Sequence, residues 1–281
     1  MNAGEPHPRI HILGGEVDII TPREMMRFVD IVAGAGGSAL VANHNLHSLA
    51  LLRKSPDLQA FFDDADIIQL DSMPIAAWAR LLGLPLSRQH RSTYLDWREE
   101  FWRLADDRKW RVFYLGGSPG VAEEACAKLG ERWPNVTFGC RDGYFDADAS
   151  SQDNRRVLAK IAAFEPDILF VGMGMPRQEL WISQNRGAIK RGVIFSVGAA
   201  FDYEAGAQKA APRWMGRVGL EWLFRLASQP SRLAHRYLLE PWRLTGPALA
   251  DLRAALSTPR HRLPRKPGVD QGRVWPLSSA N

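Results

Sequence analysis

Polar residues able to do chemistry collect at five places in this 281-residue chain, each directly after a short apolar run. Behind Ala39–Ala42 stands Asn43-His44-Asn45-Leu46-His47-Ser48, amides and imidazoles that suit a sugar or a phosphate. Capping of the following helix explains Asn43 or Asn45, but not five polar residues in six. Behind Asp66–Leu70 stands Asp71-Ser72-Met73-Pro74. A carboxylate at that point is either a general base that takes a hydroxyl proton or the N-cap of a helix starting near Pro74. Behind Arg111–Leu115, Gly116 and Gly117 let backbone N–H groups approach a phosphate, or simply make a tight turn. Behind Asp167–Gly172, Arg177 and Gln178 fall in the first turn of a helix. The helix dipole does not favour Arg there, which points to an anionic ligand or to pairing with Glu179. Behind Val193–Val197, Asp202 suits a ribose or sugar hydroxyl, or caps a turn.

The elements that must position these residues alternate. Thr21-Pro22-Arg23-Glu24 reads as a capping box opening a helix. Ile10–Leu13, Ala39–Ala42, Asp66–Leu70, Arg111–Leu115, Val136–Cys140, Asp167–Gly172 and Val193–Val197 read as strands. Helical patterns lie between them over 46–53, 74–82, 119–132, 152–164 and 176–184. Strands apolar on both faces mark a buried parallel sheet. The fold class is therefore α/β, a Rossmann-like, mostly parallel sheet flanked by helices. In such sheets ligands bind beyond the carboxyl ends of the strands, where all five polar segments fall. After Gly198 the alternation stops. The expected organisation is a catalytic core over 1–210, a helical appendage rich in basic and aromatic residues over 211–243, and a basic, Pro-rich, largely disordered tail over 244–281.

Composition narrows the classes. At 46% hydrophobic and 24% charged the balance is globular. Cys126 and Cys140 form no C-x-x-C pair, which fits a reducing compartment rather than a disulfide framework. The first ten residues lack the apolar core of a secretory signal, and no stretch reaches the about 18 apolar residues of a spanning helix. From Ala211 onward twelve Lys/Arg face four Asp/Glu, a net of +8, which leaves −3 for residues 1–210. A basic end on a mildly acidic body suits a polyanionic partner such as anionic lipid or a lipid diphosphate. Nucleic acid rests on that charge alone and is not expected as a partner. Asp64-Ala65-Asp66 and Asp146-Ala147-Asp148 spell the D-x-D of metal-dependent glycosyltransferases. The first opens a strand at the wrong sheet edge, and the second sits in a polar loop opening a helix, so no metal site is expected. There is no Walker loop, no H-E-x-x-H, and no G-x-G-x-x-G after the first strand.

Together the segments NHNLHSLALL, ADIIQLDSMPIAAWARLLG, YLGGSPG, VGMGMPRQELWI and SVGAAFDYEAGAQKAAPRWMGRVGLEWLFRLASQPSRLAHRYL resemble the WecG/TagA/CpsF glycosyltransferase family from about Ile10 to Trp242. The resemblance implies an inverting transfer from a UDP-sugar to a polyprenyl-diphosphate-linked saccharide, with no metal and no cofactor beyond the UDP-sugar substrate. It implies Asp71 as the general base and Gln178 close to the reacting centre. Asn43 stands where relatives often have Thr. Arg225, Arg232 and Arg236 match basic residues of an appendage that docks near the active site at the membrane and helps hold diphosphate. Asn45, Gly116, Gly117, Arg177 and Asp202 complete the expected substrate-binding set. Many relatives have D-G-x-G where this chain has Asp71-Ser72-Met73-Pro74. The wording is closer to an exopolysaccharide branch containing a xanthan-type β-1,4-glucosyltransferase, so glucose is the favoured donor sugar, ahead of N-acetylmannosamine or a uronic acid. Expected partners are UDP-sugar, lipid-linked acceptor and an anionic membrane surface, at the inner face of the cytoplasmic membrane, with a homo-oligomer left open. A nucleotide- or lipid-binding scaffold without catalysis is the alternative of another class.

Overall fold

The computed structural model describes residues 7–212, 215, 220–228 and 230–257, with the backbone alone at residue 232. The expected parallel α/β sheet is present, with one change at its start. Strand β1 (Arg9–Ile12) does not join the main sheet but pairs antiparallel with β2 (Gly15–Asp18). The turn between them explains why. Leu13 and Gly14 both take positive φ, 52° and 79°, the geometry of a two-residue hairpin turn. Asp18 then carries the hairpin onto the sheet, taking Arg9 Nε at 2.8 Å and Ile68 N at 2.7 Å.

The main sheet runs β4-β3-β8-β7-β5-β6, every neighbouring pair parallel. Its strands are β3 (Ser38–His44), β4 (Ile67–Leu70), β5 (Arg111–Gly116), β6 (Thr137–Arg141), β7 (Ile168–Gly172) and β8 (Gly192–Ser196). Side chains of a strand alternate between the two faces, and β7 divides in that way. Leu169 and Val171 pack with α2 (Leu46–Leu52), α3 (Pro56–Asp63), α4 (Met73–Leu81), α7 (Gln152–Phe164) and α8 (Arg177–Asn185). Ile168 and Phe170 pack with α1 (Pro22–Gly34), α5 (Tyr94–Arg108), α6 (Val121–Arg132) and α9 (Ala200–Ala205). Burial of both faces is what made these strands read as continuous apolar runs. The capping box at Thr21 forms as its spacing implied, with Thr21 N to Glu24 Oε2 at 2.9 Å.

The C-terminal part is helical further than composition implied. Helix α10 (Glu221–Ser228) and α11 (Pro230–Ala234) are followed by a wide turn at His235–Leu239 and a tight one at Glu240–Leu244. Residues Thr245–Ser257, expected from composition to belong to a disordered tail, form helix α12. The reason is local. Pro and Arg become dense only after Ser257, whereas Ala248–Leu256 is rich in the helix formers Ala and Leu. Tertiary contacts then hold α12 in place. Asp251 Oδ2 accepts from Leu13 N at 2.8 Å and from Trp78 Nε1 at 3.1 Å, tying the helix to the β1–β2 turn and to α4. Among the described residues no helix is long and apolar enough to cross a membrane.

Candidate active site

The carboxyl ends of the strands are drawn together by backbone contacts that only glycine permits. A Cβ on Gly116 would lie 2.3 Å from Gly172 O, and one on Gly172 would lie 2.4 Å from Gly198 O. Gly117 N donates to Gly172 O at 3.1 Å. The loops after β5, β7 and β8 thus pack together as one glycine cradle. Gly116 and Gly117 pack the loop after β5 against the loop after β7.

Above β3 and β4 lies an open cleft of about 160 Å³. Asp71 stands on its floor, its N–H donating to His44 O at 2.8 Å. It is not the cap of α4, since the N-cap of that helix is Ser72. Asn45 is a cap: its Oδ1 accepts from His47 N at 3.0 Å and from Ser48 N at 3.1 Å. The ambiguity over Asn43 and Asn45 is resolved in the same way. Asn43 does not cap α2 but donates through Nδ2 to Ser196 O at 2.7 Å, linking β3 to β8.

The opposite wall comes from the C-terminal segment. Arg225 and Arg236 line the cleft with Asp71, as does Arg91, which sequence reasoning missed. Glu221, also missed, joins two of these cations, accepting from Arg91 at 2.6 Å and from Arg225 at 2.7 Å. Arg236 reaches Asn45 Oδ1 at 3.5 Å, and its guanidinium lies 5.8 Å from the Tyr237 ring centre. The segment is seated by His47, whose Nδ1 meets the buried Glu240 Oε2 at 2.5 Å. Trp222 and Tyr237, 6.0 Å apart, give the cleft an aromatic side. Arg232 belongs to α11, but its side chain lies outside the described residues, as does all of Trp214.

Electrostatics single out Asp71. Burial pushes its carboxyl up to about 6, against the pull of Arg225 and Arg91, while Glu221 and Asp96 add to the rise. A base of that pKa is ionised at neutral pH yet still accepts a proton readily. Burial pulls the Arg236 guanidinium down, and the like charge of Arg225 adds to that. Arg225, though half-buried, is held above its usual value by Tyr203, Asp71 and Glu221.

The remaining expected residues lie elsewhere. Gln178 is buried beneath the glycine cradle, its amide bonded to Gly174, Gly198 and Glu179. Arg177 is exposed; it donates to Phe145 O at 2.6 Å and lies 5.7 Å from that ring, paired neither with Glu179 nor with a cleft residue. Asp202 sits in the first turn of α9, where its charge helps raise the buried Tyr114 phenol. The D-x-D strings are occupied in other ways. Asp64 and Asp66 pair with Arg186 at 3.1 and 2.8 Å, and Asp146 and Asp148 each accept from backbone N–H groups of their own loop.

A carboxylate poised near pH 6 in a cleft lined by guanidiniums is equipment that suits a glycosyltransferase. The model of the Glycosyl transferase WecG/TagA/CpsF family matches residues 10–257, and the chain belongs to that family. It is 28% identical over 227 residues to the N-acetylglucosaminyldiphosphoundecaprenol N-acetyl-beta-D-mannosaminyltransferase of Staphylococcus aureus strain NCTC 8325 / PS 47, covering 77% of this chain and 84% of the relative. The proteins of that name from strains COL and MRSA252 match to the same extent.

Proposed function

We propose that the protein transfers a sugar, with inversion, from a UDP-sugar to a polyprenyl-diphosphate-linked saccharide in cell-surface polysaccharide assembly. The observation that carries this reading is one cleft lined by Asp71 together with Arg91, Arg225 and Arg236. Asp71 takes the proton of the acceptor hydroxyl as its oxygen attacks the anomeric carbon. The bond from that carbon to the UDP oxygen breaks on the opposite face. The charge released on the diphosphate is met by guanidiniums, whose paired N–H groups match phosphate oxygens. Those cations can offset the leaving charge without a metal, so the reaction is expected to survive EDTA.

The names of the S. aureus relatives favour N-acetylmannosamine as donor sugar and lipid-linked N-acetylglucosamine as acceptor. Glucose is the second reading, resting on Asp71-Ser72-Met73-Pro74 in place of D-G-x-G. The deciding assay is UDP release from a panel of UDP-sugars, with and without polyprenyl-diphosphate-linked N-acetylglucosamine or glucose. Acceptor-dependent release with one donor, unaffected by EDTA, is expected. UDP binding with no release for any pair would favour a scaffold instead.

The acceptor lipid implies a peripheral seat on the inner face of the cytoplasmic membrane, and the surface supports one. Eight of the ten exposed large apolar side chains among the described residues fall between 220 and 256, with Trp242 72% and Leu256 80% exposed. Arg243 and Arg253 share that stretch. Leucine and tryptophan entering the headgroup region beside arginines on lipid phosphates is the chemistry of interfacial binding. Replacing Leu238, Leu239 and Trp242 together by Ser should weaken sedimentation with anionic vesicles at least tenfold, given about 1.5–3 kcal/mol per large side chain buried. Salt should weaken the unaltered protein as well. Binding unchanged in the triple variant would remove this surface from consideration.

A further inference from the structure

Gln178 and Glu179 are neighbours in α8, both buried, and they bond to each other rather than to the cleft. Their geometry has a direction. Gly174 N, after β7, and Gly198 N, after β8, both donate to Gln178 Oε1 at 3.2 Å. Two converging donors force the oxygen end of the amide toward the loops. The nitrogen end then faces the interior, where it requires an acceptor. Glu179 Oε1 supplies that acceptor at 2.7 Å, and Glu179 itself is fully buried. Without it the nitrogen end of the amide would be buried with no acceptor, a cost set against this orientation. Glu179 keeps an accepting oxygen whether ionised or protonated, so the tie persists across neutral pH, although burial pushes its carboxyl up to about 7.

The two glycines are the tips of adjacent loops of the cradle. Both take positive φ, 79° at Gly174 and 55° at Gly198, and a Cβ on either would meet nothing within 4 Å. They are glycine for their backbone angle, and open space stands beside them. We propose that Glu179 is a positioning residue: by fixing the Gln178 amide it locks the Gly174 and Gly198 loops into one rigid lip of the donor diphosphate site. This deepens the proposed function and rests on it for the identity of the ligand. The consequence is a division of labour, with Asp71 and the arginines acting on the reacting atoms and the Gln178–Glu179 pair setting affinity for the donor.

The test is an exchange of the two side chains. Gln178→Glu places two carboxylates against each other in a buried site. The double variant Gln178→Glu/Glu179→Gln restores one acceptor pointing at the glycines and one N–H between the side chains, with its polarity reversed. UDP affinity by calorimetry, KM for the donor and kcat are measured on all forms, with amide exchange at Gly174 and Gly198 followed by NMR. In the single variant we expect UDP affinity to fall and donor KM to rise at least tenfold, and exchange at both glycines to quicken. In the double variant all of these return to within about threefold of the starting protein. A double variant no better than the single one, or a single variant with slow exchange and unchanged UDP affinity, overturns the proposal. Should the unaltered protein bind no UDP, the donor reading of the cradle fails on its own. The lock is then judged by glycine exchange across the same three forms, where absence of rescue overturns it.

Discussion

Asp71→Asn is expected to lower kcat by about two to four orders of magnitude, the usual contribution of a positioned general base, while leaving UDP affinity within a few-fold. The same variant should be more stable than the parent. Burial raises the folded-state pKa of Asp71 from 3.8 to about 6. The folded protein therefore holds this proton more tightly than the unfolded chain. Its stability contribution is greatest below pH 4 and is lost as pH rises through 6. At pH 7.5 the ionised carboxylate costs roughly 1–3 kcal/mol, since each tenfold change in proton affinity is worth about 1.4 kcal/mol. The lower end is favoured because the neutral amide also gives up the attraction of Arg225. Asn removes the cost, so thermal unfolding should move upward as turnover collapses. The rate profile of the parent should carry an acid limb with an apparent pKa near 6, falling tenfold per pH unit below it. Turnover retained in Asp71→Asn, or a profile flat down to pH 5, would assign the base elsewhere.

Arg225→Ala should cost about two to three orders of magnitude in kcat, the scale of removing a donor aimed at developing charge, and Arg225→Lys should recover little, since a point charge lacks the paired geometry. The diagnostic lies in the pH profile. Arg225 is the strongest charge pulling the Asp71 pKa down. Without it the acid limb should move to higher pH, and part of the lost rate should return when the assay is made more alkaline. An unmoved limb would separate Arg225 from the base. The distinction matters because Glu221 holds both Arg225 and Arg91, so a general loosening of the cleft would depress rate without displacing the limb.

The sheet was readable because its strands are buried on both faces, and unbroken apolar runs between capping signals leave few alternatives. The hairpin at the start was not, because Glu16-Val17-Asp18 is too short and too polar to register as a strand. Helix α5 was passed over because Arg98, Glu99, Glu100, Arg103, Asp106 and Asp107 mask a helical stripe of Tyr94, Trp97, Phe101 and Ala105, all buried. Asp71 and Ser72 are both good caps, and one residue of register decides which of them holds the N-cap position; no local signal sets that register. Arg91 and Glu221 are 130 residues apart and owe their pairing wholly to tertiary structure. Sequence marks the polar segment behind each strand, but not the remote stretch of chain that folds over it.

That remote stretch has a consequence for how the protein comes into being. Strands β3 to β8 are complete by Ser196, whereas Glu221, Arg225 and Arg236 are translated later. The residues of the sheet, Asp71 and Arg91 are therefore translated before Arg225 and Arg236, the two C-terminal cations of the cleft. On the proposed mechanism the closing stretch, held down through Glu240 on His47 and Asp251 on Leu13, completes the cleft around Asp71. A chain ending before Glu221 is expected to be silent, for it lacks two of the three arginines of the cleft.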